Sequence, residues 1–88
     1  MHAVVVKVKI NGDVEAAQKT LLEQVVPQVS QAPGFVTGYW TRKDNTGLSM
    51  VIFDSEDAAQ GGAERARQGA PETVTVEDVE IREVAAHA

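Results

Sequence analysis

The chain is 88 residues long, contains no cysteine, and carries thirteen acidic against eight basic side chains, for a net charge of −5 at pH 7. That length leaves room for one domain over residues 1–88 and no second core, and the lack of cysteine excludes a disulfide framework and a thiolate metal site. The acidic balance, with its cations scattered, argues against nucleic acid as a partner, because a phosphate backbone needs a clustered positive surface.

His2 and His87 lie at opposite ends of the sequence and make no zinc site. With no basic leader, long apolar run or cleavage pattern before the first strand, the expectation is a soluble protein with no membrane span. A cysteine-free composition fits a reducing compartment, so the expected location is the cytosol.

From His2 to Ile10 the residues alternate. Val4, Val6, Val8 and Ile10 share one face of a strand, and Ala3, Val5, Lys7 and Lys9 share the other. A central strand covered by helices on one side and partly covered on the other has this pattern. Asn11-Gly12-Asp13 is a turn ending in a helix N-cap, with Glu15 in the first turn, where the helix dipole favours negative charge. Val14, Ala17, Leu21, Val25 and Val29 then form one helical stripe, flanked by Leu22 and Val26. Pro27 interrupts it by removing a hydrogen bond and crowding the carbonyl of Glu23, which predicts a kink. Val29 still falls on the stripe, so the helix is expected to continue, bent, to about Gln31 and to end at Pro33-Gly34.

Pro33 to Asp54 reads as a β-hairpin with a four- or five-residue connection at Lys43–Gly47. It holds the only Trp, the only Tyr and both Phe residues. Its first strand alternates Phe35, Thr37, Tyr39 and Thr41 against Val36, Gly38, Trp40 and Arg42. Its second alternates Leu48, Met50 and Ile52 against Ser49, Val51 and Phe53. Gly38 in mid-strand marks a bulge or a close approach by another backbone or a ligand.

Asp54 or Ser55 caps a second helix whose inward side, Ala58, Ala59, Gly62, Ala63 and Ala66, carries no large side chain. Such a helix either lies very close to the sheet or leaves a space above it. Arg65 and Arg67 near its end complement the helix dipole. Gly69-Ala70-Pro71 closes it, and Thr73 to Val84 forms the last strand. There the apolar parity slips between Val76 and Val79, which predicts a bulge at Glu77-Asp78.

Strand, helix, strand, strand, helix, strand is the ferredoxin-like βαββαβ plan, an α+β fold. Right-handed crossovers put both helices on one face of an antiparallel four-stranded sheet and leave the other face bare. A bare face with apolar side chains needs a partner, and a second copy on a two-fold axis is the economical one, so a homodimer is expected.

On three segments the sequence resembles the dimeric α/β-barrel superfamily, in particular its antibiotic-biosynthesis-monooxygenase-like branch. They are the Val-rich opening strand, Ala-Pro-Gly-Phe-Val-Thr-Gly-Tyr at Ala32–Tyr39, and Val-Ile-Phe-Asp-Ser-Glu-Asp-Ala-Ala at Val51–Ala59. The resemblance implies a dimeric barrel and a range of activities that includes cofactor-free oxidation of polyketide quinones and haem degradation. Haem-degrading members place an Asn in the first strand, a Trp at the end of the third and a haem-ligating His on the second helix. Here the matching positions are Lys7, Phe53 and a helix without histidine, so haem is disfavoured and no cofactor is expected.

The candidate ligand-binding residues are Trp40, Arg42, Tyr39, Lys7, Asn11 and Phe53; no catalytic residue and no metal ligand can be named. Trp40 is a stacking wall for a flat aromatic ligand, with Arg42 on the same face to hold an oxyanion, or else Trp40 and Tyr39 simply fill core and interface. Asn11 orients a substrate carbonyl or only makes a turn. Lys7 is a base of lowered pKa if buried, or a side chain reaching out to the edge. His2 is either a base near neutral pH or part of a mobile terminus, and Met50 is core filler. Glu72, Glu77, Asp78, Glu80 and Glu83 form a solvated strand face. The resemblance, together with the small-residue helix and the aromatic hairpin, implies a cofactor-independent small-molecule oxygenase acting on a flat aromatic or quinone-type substrate; the alternative is a non-catalytic dimeric ligand-binding or stress-associated module.

Overall fold

Alternation along the first strand sets up the two faces of the sheet. The computed structural model describes residues 1–88. Its elements are β1 (His2–Ile10), α1 (Val14–Thr20), a π-helical turn (Leu21–Val25), α2 (Val26–Ser30), β2 (Phe35–Lys43), β3 (Thr46–Phe53), α3 (Glu56–Gln68) and β4 (Val74–Glu83). The strands lie in the order β2-β3-β1-β4, all neighbours antiparallel. With α1, the π turn and α2 taken as one helical arm, this is the ferredoxin-like βαββαβ fold. No helix is long and apolar enough to cross a membrane.

Pairing carries the β1 alternation across the sheet. Val4 and Val6 of β1 lie opposite Val51 and Ser49 of β3 and opposite Ile81 and Val79 of β4. The predicted bulge in β4 is present: Lys7 pairs with Asp78 but Val8 pairs with Val76, leaving Glu77 over. The extra residue returns Val74 and Val76 to the face of Val79 and Ile81.

Asp13 caps α1, its carboxylate accepting from the Glu15 amide at 3.0 Å, and Ser55 caps α3, accepting from the Ala58 amide at 3.1 Å. Pro27 does not break the arm. The Val26 amide donates to the Leu21 carbonyl five residues back, and the widened turn carries the chain into a second α-helical segment with Pro27 in its first turn. The wider turn has a second effect. Residues spaced four apart drift by about 40° per step around an α-helix, and the π turn takes back part of that drift, so Ala17, Leu21, Val25 and Val29 stay on one side.

Three details differ from the sequence reading. The hairpin loop is only Asp44-Asn45, because Lys43 and Thr46 pair as strand residues; Asp44 takes the left-handed conformation at φ 55, which a short polar side chain tolerates. Gly47 is therefore a strand residue, and a Cβ there would come within 2.8 Å of Val8 Cγ2. The β2 bulge falls between Phe35 and Thr37, not at Gly38; the Gly38 position is open because the Trp40 ring lies on it, 2.8 Å from where a Cβ would be. Finally, His2 is no mobile terminus. It pairs with Phe53 and Glu83 between two strands, its Nε2 lies 3.8 Å from a Glu56 carboxylate oxygen, and its buried Nδ1 has no hydrogen-bond partner.

The core sits between α3 and the sheet: Val4, Val6, Val51, Phe53, Ala59 and Ala63. The opposite face is uncovered by any element of the chain. Tyr39, Leu48 and Met50 lie there 66%, 49% and 44% exposed, with Val5 and Ile52 half-buried beside them. Met50 is therefore surface, not core filler.

Candidate functional site

The chain packs only one end of the space between its layers. Near the start of α3 the helix touches the sheet. Ala59 and Ala63 are fully buried, and the Phe53 ring lies so close under Gly62 that a Cβ there would be 2.6 Å from it. Phe35 meets Phe53 edge to face, with ring centroids 6.5 Å apart.

Toward the hairpin end the layers separate around a cavity of about 930 Å³, within the usual range for small-molecule sites, roughly 300–1,000 Å³. Val6, Val8, Ile10, Val51 and Val76 form its floor. The whole helical stripe, Val14, Ala17, Leu21, Val25 and Val29, forms one wall, and Gly62, Arg65 and Ala66 of α3 form another. Trp40 and Arg42 close the side along β2. The cause is a mismatch of side-chain size. The inward side of α3 offers only methyl groups or hydrogen, and of the stripe residues only Ala17 is buried; the valines and Leu21 stay half-exposed to the space.

The polar lining is short. Gln18, Gln28 and Gln68 supply amides, and Ser49 and Thr73 supply hydroxyls. The only charged residues are Arg42 and Arg65; no Asp, Glu, His, Lys, Tyr or Cys lines the cavity. Arg42 donates one N–H to the Asp44 carbonyl at 2.7 Å. The molecule's two ion pairs are His2–Glu56 and Arg82–Glu80, so neither cavity arginine is paired with a carboxylate. A second, shallow cleft of about 250 Å³ lies at the hairpin, bordered by Lys7, Arg42, Lys43, Thr41 and Thr46.

Of the six sequence candidates, Trp40, Arg42 and Phe53 line the cavity, Phe53 as an almost fully buried wall residue. The other three are elsewhere. Tyr39 points from the uncovered sheet face. Lys7 lies exposed on that same face and borders only the shallow cleft, so it is not a buried base. Asn11 is occupied structurally, its Nδ2 donating to Thr75 Oγ1 at 2.9 Å and to the Glu72 carbonyl at 3.4 Å, which ties the end of β1 to the start of β4. The cavity residue the sequence reading missed is Arg65, taken only as a complement to the helix dipole. Its spacing from Gly62 and Ala66 places it on the flank of the small-residue stripe, and that was the available signal.

No three His, Cys, Asp or Glu residues gather to hold a metal ion. The cavity lining also contains no His, Cys, Tyr or Met to ligate haem iron. A protein-ligated haem does not fit the residues present, and no step is derived through one.

No protein-family profile matches the chain, and no curated protein sequence matches it. Solved structures do. SnoaB, a cofactor-independent oxygenase from Streptomyces nogalater, is 15% identical with a TM-score of 0.73, covering 98% of this chain and 94% of its own. MhuD, solved with two manganese protoporphyrin IX bound per active site, is 13% identical with a TM-score of 0.68, covering 100% and 98%. A dimeric ferredoxin-like protein from an uncultured marine organism is 12% identical with a TM-score of 0.66, covering 100% and 98%. The chain thus shares the ferredoxin-like fold of these proteins, and at these identities the likeness is one of fold.

Proposed function

We propose that this protein is a monooxygenase-like member of the antibiotic-biosynthesis-monooxygenase branch, binding a flat aromatic or quinone-type small molecule in the cavity and oxidising it without a cofactor. The observation that carries the reading is the 930 Å³ apolar cavity with Trp40 on its wall. An indole held over Gly38 presents a fixed aromatic face for stacking. The shared fold with SnoaB supports the oxygenase class. Converting a phenolic ring carbon to a quinone carbonyl, with one oxygen atom of O2 entering the product and the other leaving as water, balances without an external reductant.

A second reading, a non-catalytic ligand-binding or stress-associated module, is favoured by one observation: the lining holds no carboxylate, imidazole, thiol, phenol or amine to move a proton. A panel of naphthols and the matching naphthoquinones, followed by thermal shift and oxygen uptake, separates the two. A raised melting temperature with uptake above the buffer rate supports the oxygenase. A raised melting temperature without uptake leaves the module, and no shift with any probe removes both. Trp40→Phe is expected to weaken binding by about 0.5–1.5 kcal/mol.

The same reading has the protein working in the cytosol as a homodimer joined through the uncovered sheet face, with Tyr39, Leu48 and Met50 at its centre. Met50→Glu places a charge in that contact and is expected to halve the mass seen by light scattering; an unchanged mass would move the contact elsewhere.

A further inference from the structure

The cavity's charges have one sign, and the chain as a whole has the other. A protein of net charge −5 lines this space with two arginines and no acid. Random placement of charge on so acidic a chain would more often bring a carboxylate to the rim.

The two arginines sit at the same end of the molecule. Arg42 belongs to the row Arg42–Gly47–Val8–Val76 that crosses the sheet near the hairpin. The first turn of α3 lies at the far end, where Glu56 meets His2, so Arg65, about two and a half turns on, lies over the hairpin half. Neither guanidinium is committed. Arg42 uses one N–H on the Asp44 carbonyl and keeps the rest of its donor fork free. Arg65 makes no hydrogen bond or ion pair; it rests along α3 over Gly61, 3.9 Å from where a Cβ would stand, with nothing fixing it there. Arg67, two residues on, is by contrast held on the Val79 carbonyl at 3.4 Å. The arm at Arg65 is thus free to swing to the mouth.

We propose that the cavity takes its ligand as an anion: a flat apolar body inside and one ionised oxygen group, a carboxylate, enolate or phenolate, held at the mouth between Arg42 and Arg65. This rests on the reading of the cavity as a ligand site and adds the charge state and the second contact. Because the lining offers no base, the ligand arrives already ionised, and the arginines hold the charge at the partly exposed mouth. Guanidinium forks suit such oxygens better than point charges do.

The test compares the hydroxynaphthoquinone lawsone, an anion at neutral pH, with its methyl ether, which has almost the same shape and cannot ionise. Calorimetric titration of the full chain is expected to show lawsone binding roughly tenfold tighter than the ether, as for a charge-assisted hydrogen bond at a partly exposed site. Arg42→Gln and Arg65→Gln are each expected to narrow that gap, and the double variant to close it, with affinity for the ether unchanged. Both side chains are exposed and outside any ion pair, and only Arg42 gives up a hydrogen bond, to the Asp44 carbonyl of the hairpin loop, so the variants are expected to melt close to the wild type. Equal affinity for the two probes in the wild type overturns the anion inference and leaves the cavity reading standing. A gap that survives the double variant overturns the role given to the arginines. Binding of neither probe overturns both the inference and the reading beneath it.

Discussion

Beneath the start of α3 the two layers of this protein touch; beneath the helical arm they do not. The packed half brings alanine and glycine on the helix against Phe53, Val4 and Val51 on the sheet, so large meets small and no space is left. The open half sets valines of the arm against valines of the floor, with neither side long enough to reach across. The same small-residue helix serves both. Ala59 and Ala63 lie where the sheet supplies a phenyl ring, and Gly62 and Ala66 border the space where that ring ends. Only nine of the 88 residues are buried, so stability rests on one half and ligand capacity on the other.

Several substitutions sharpen that contrast, and the largest effect belongs to the packed half. Phe53→Ala is expected to cost about 3–5 kcal/mol, read as a lower urea midpoint at unchanged slope. A smaller loss would mean that the ring is not the keystone of the core. Next, Ala63→Leu forces a larger side chain into a fully buried position and is expected to cost about 1–3 kcal/mol, whereas Ala66→Leu on the same helix points into the cavity and is expected to stay within about 1 kcal/mol of wild type. Equal losses at the two sites would erase the distinction between the halves. Leu21→Ala is expected to cost only about 1 kcal/mol, well under the figure for a buried leucine, because the side chain already faces empty space.

Much of the fold was legible because it rests on local rules. Two-residue alternation in β1 fixed both faces of the sheet, the parity slip placed the bulge at Glu77, and Asp13 and Ser55 announced the helix starts. What misled was glycine. Gly47 was read as turn, yet it is required by Val8 arriving from β1, which local sequence does not encode; Gly38 was read as a bulge or a close approach by another backbone or ligand, and what lies on it is the ring of Trp40, two residues along the same strand. His2 was misplaced for a similar reason, since its two neighbouring strands come from residues far along the chain. The candidate site was half-legible. Strand parity put Trp40 and Arg42 on one face without saying which face of the hairpin lines a pocket, and the stripe of the arm reads the same whether it packs a core or lines a cavity. That difference is set by the reach of side chains across the gap, a property of the assembled layers.

The central claim, that the unfilled half is a binding cavity, can be tested through the single tryptophan, because Trp40 stands on its wall. Titration of the protein with naphthoquinones, followed by tryptophan fluorescence, is predicted to give saturable quenching that Ala66→Leu weakens by narrowing the space. Quenching that rises linearly without saturation, and equally in the variant, would contradict the account.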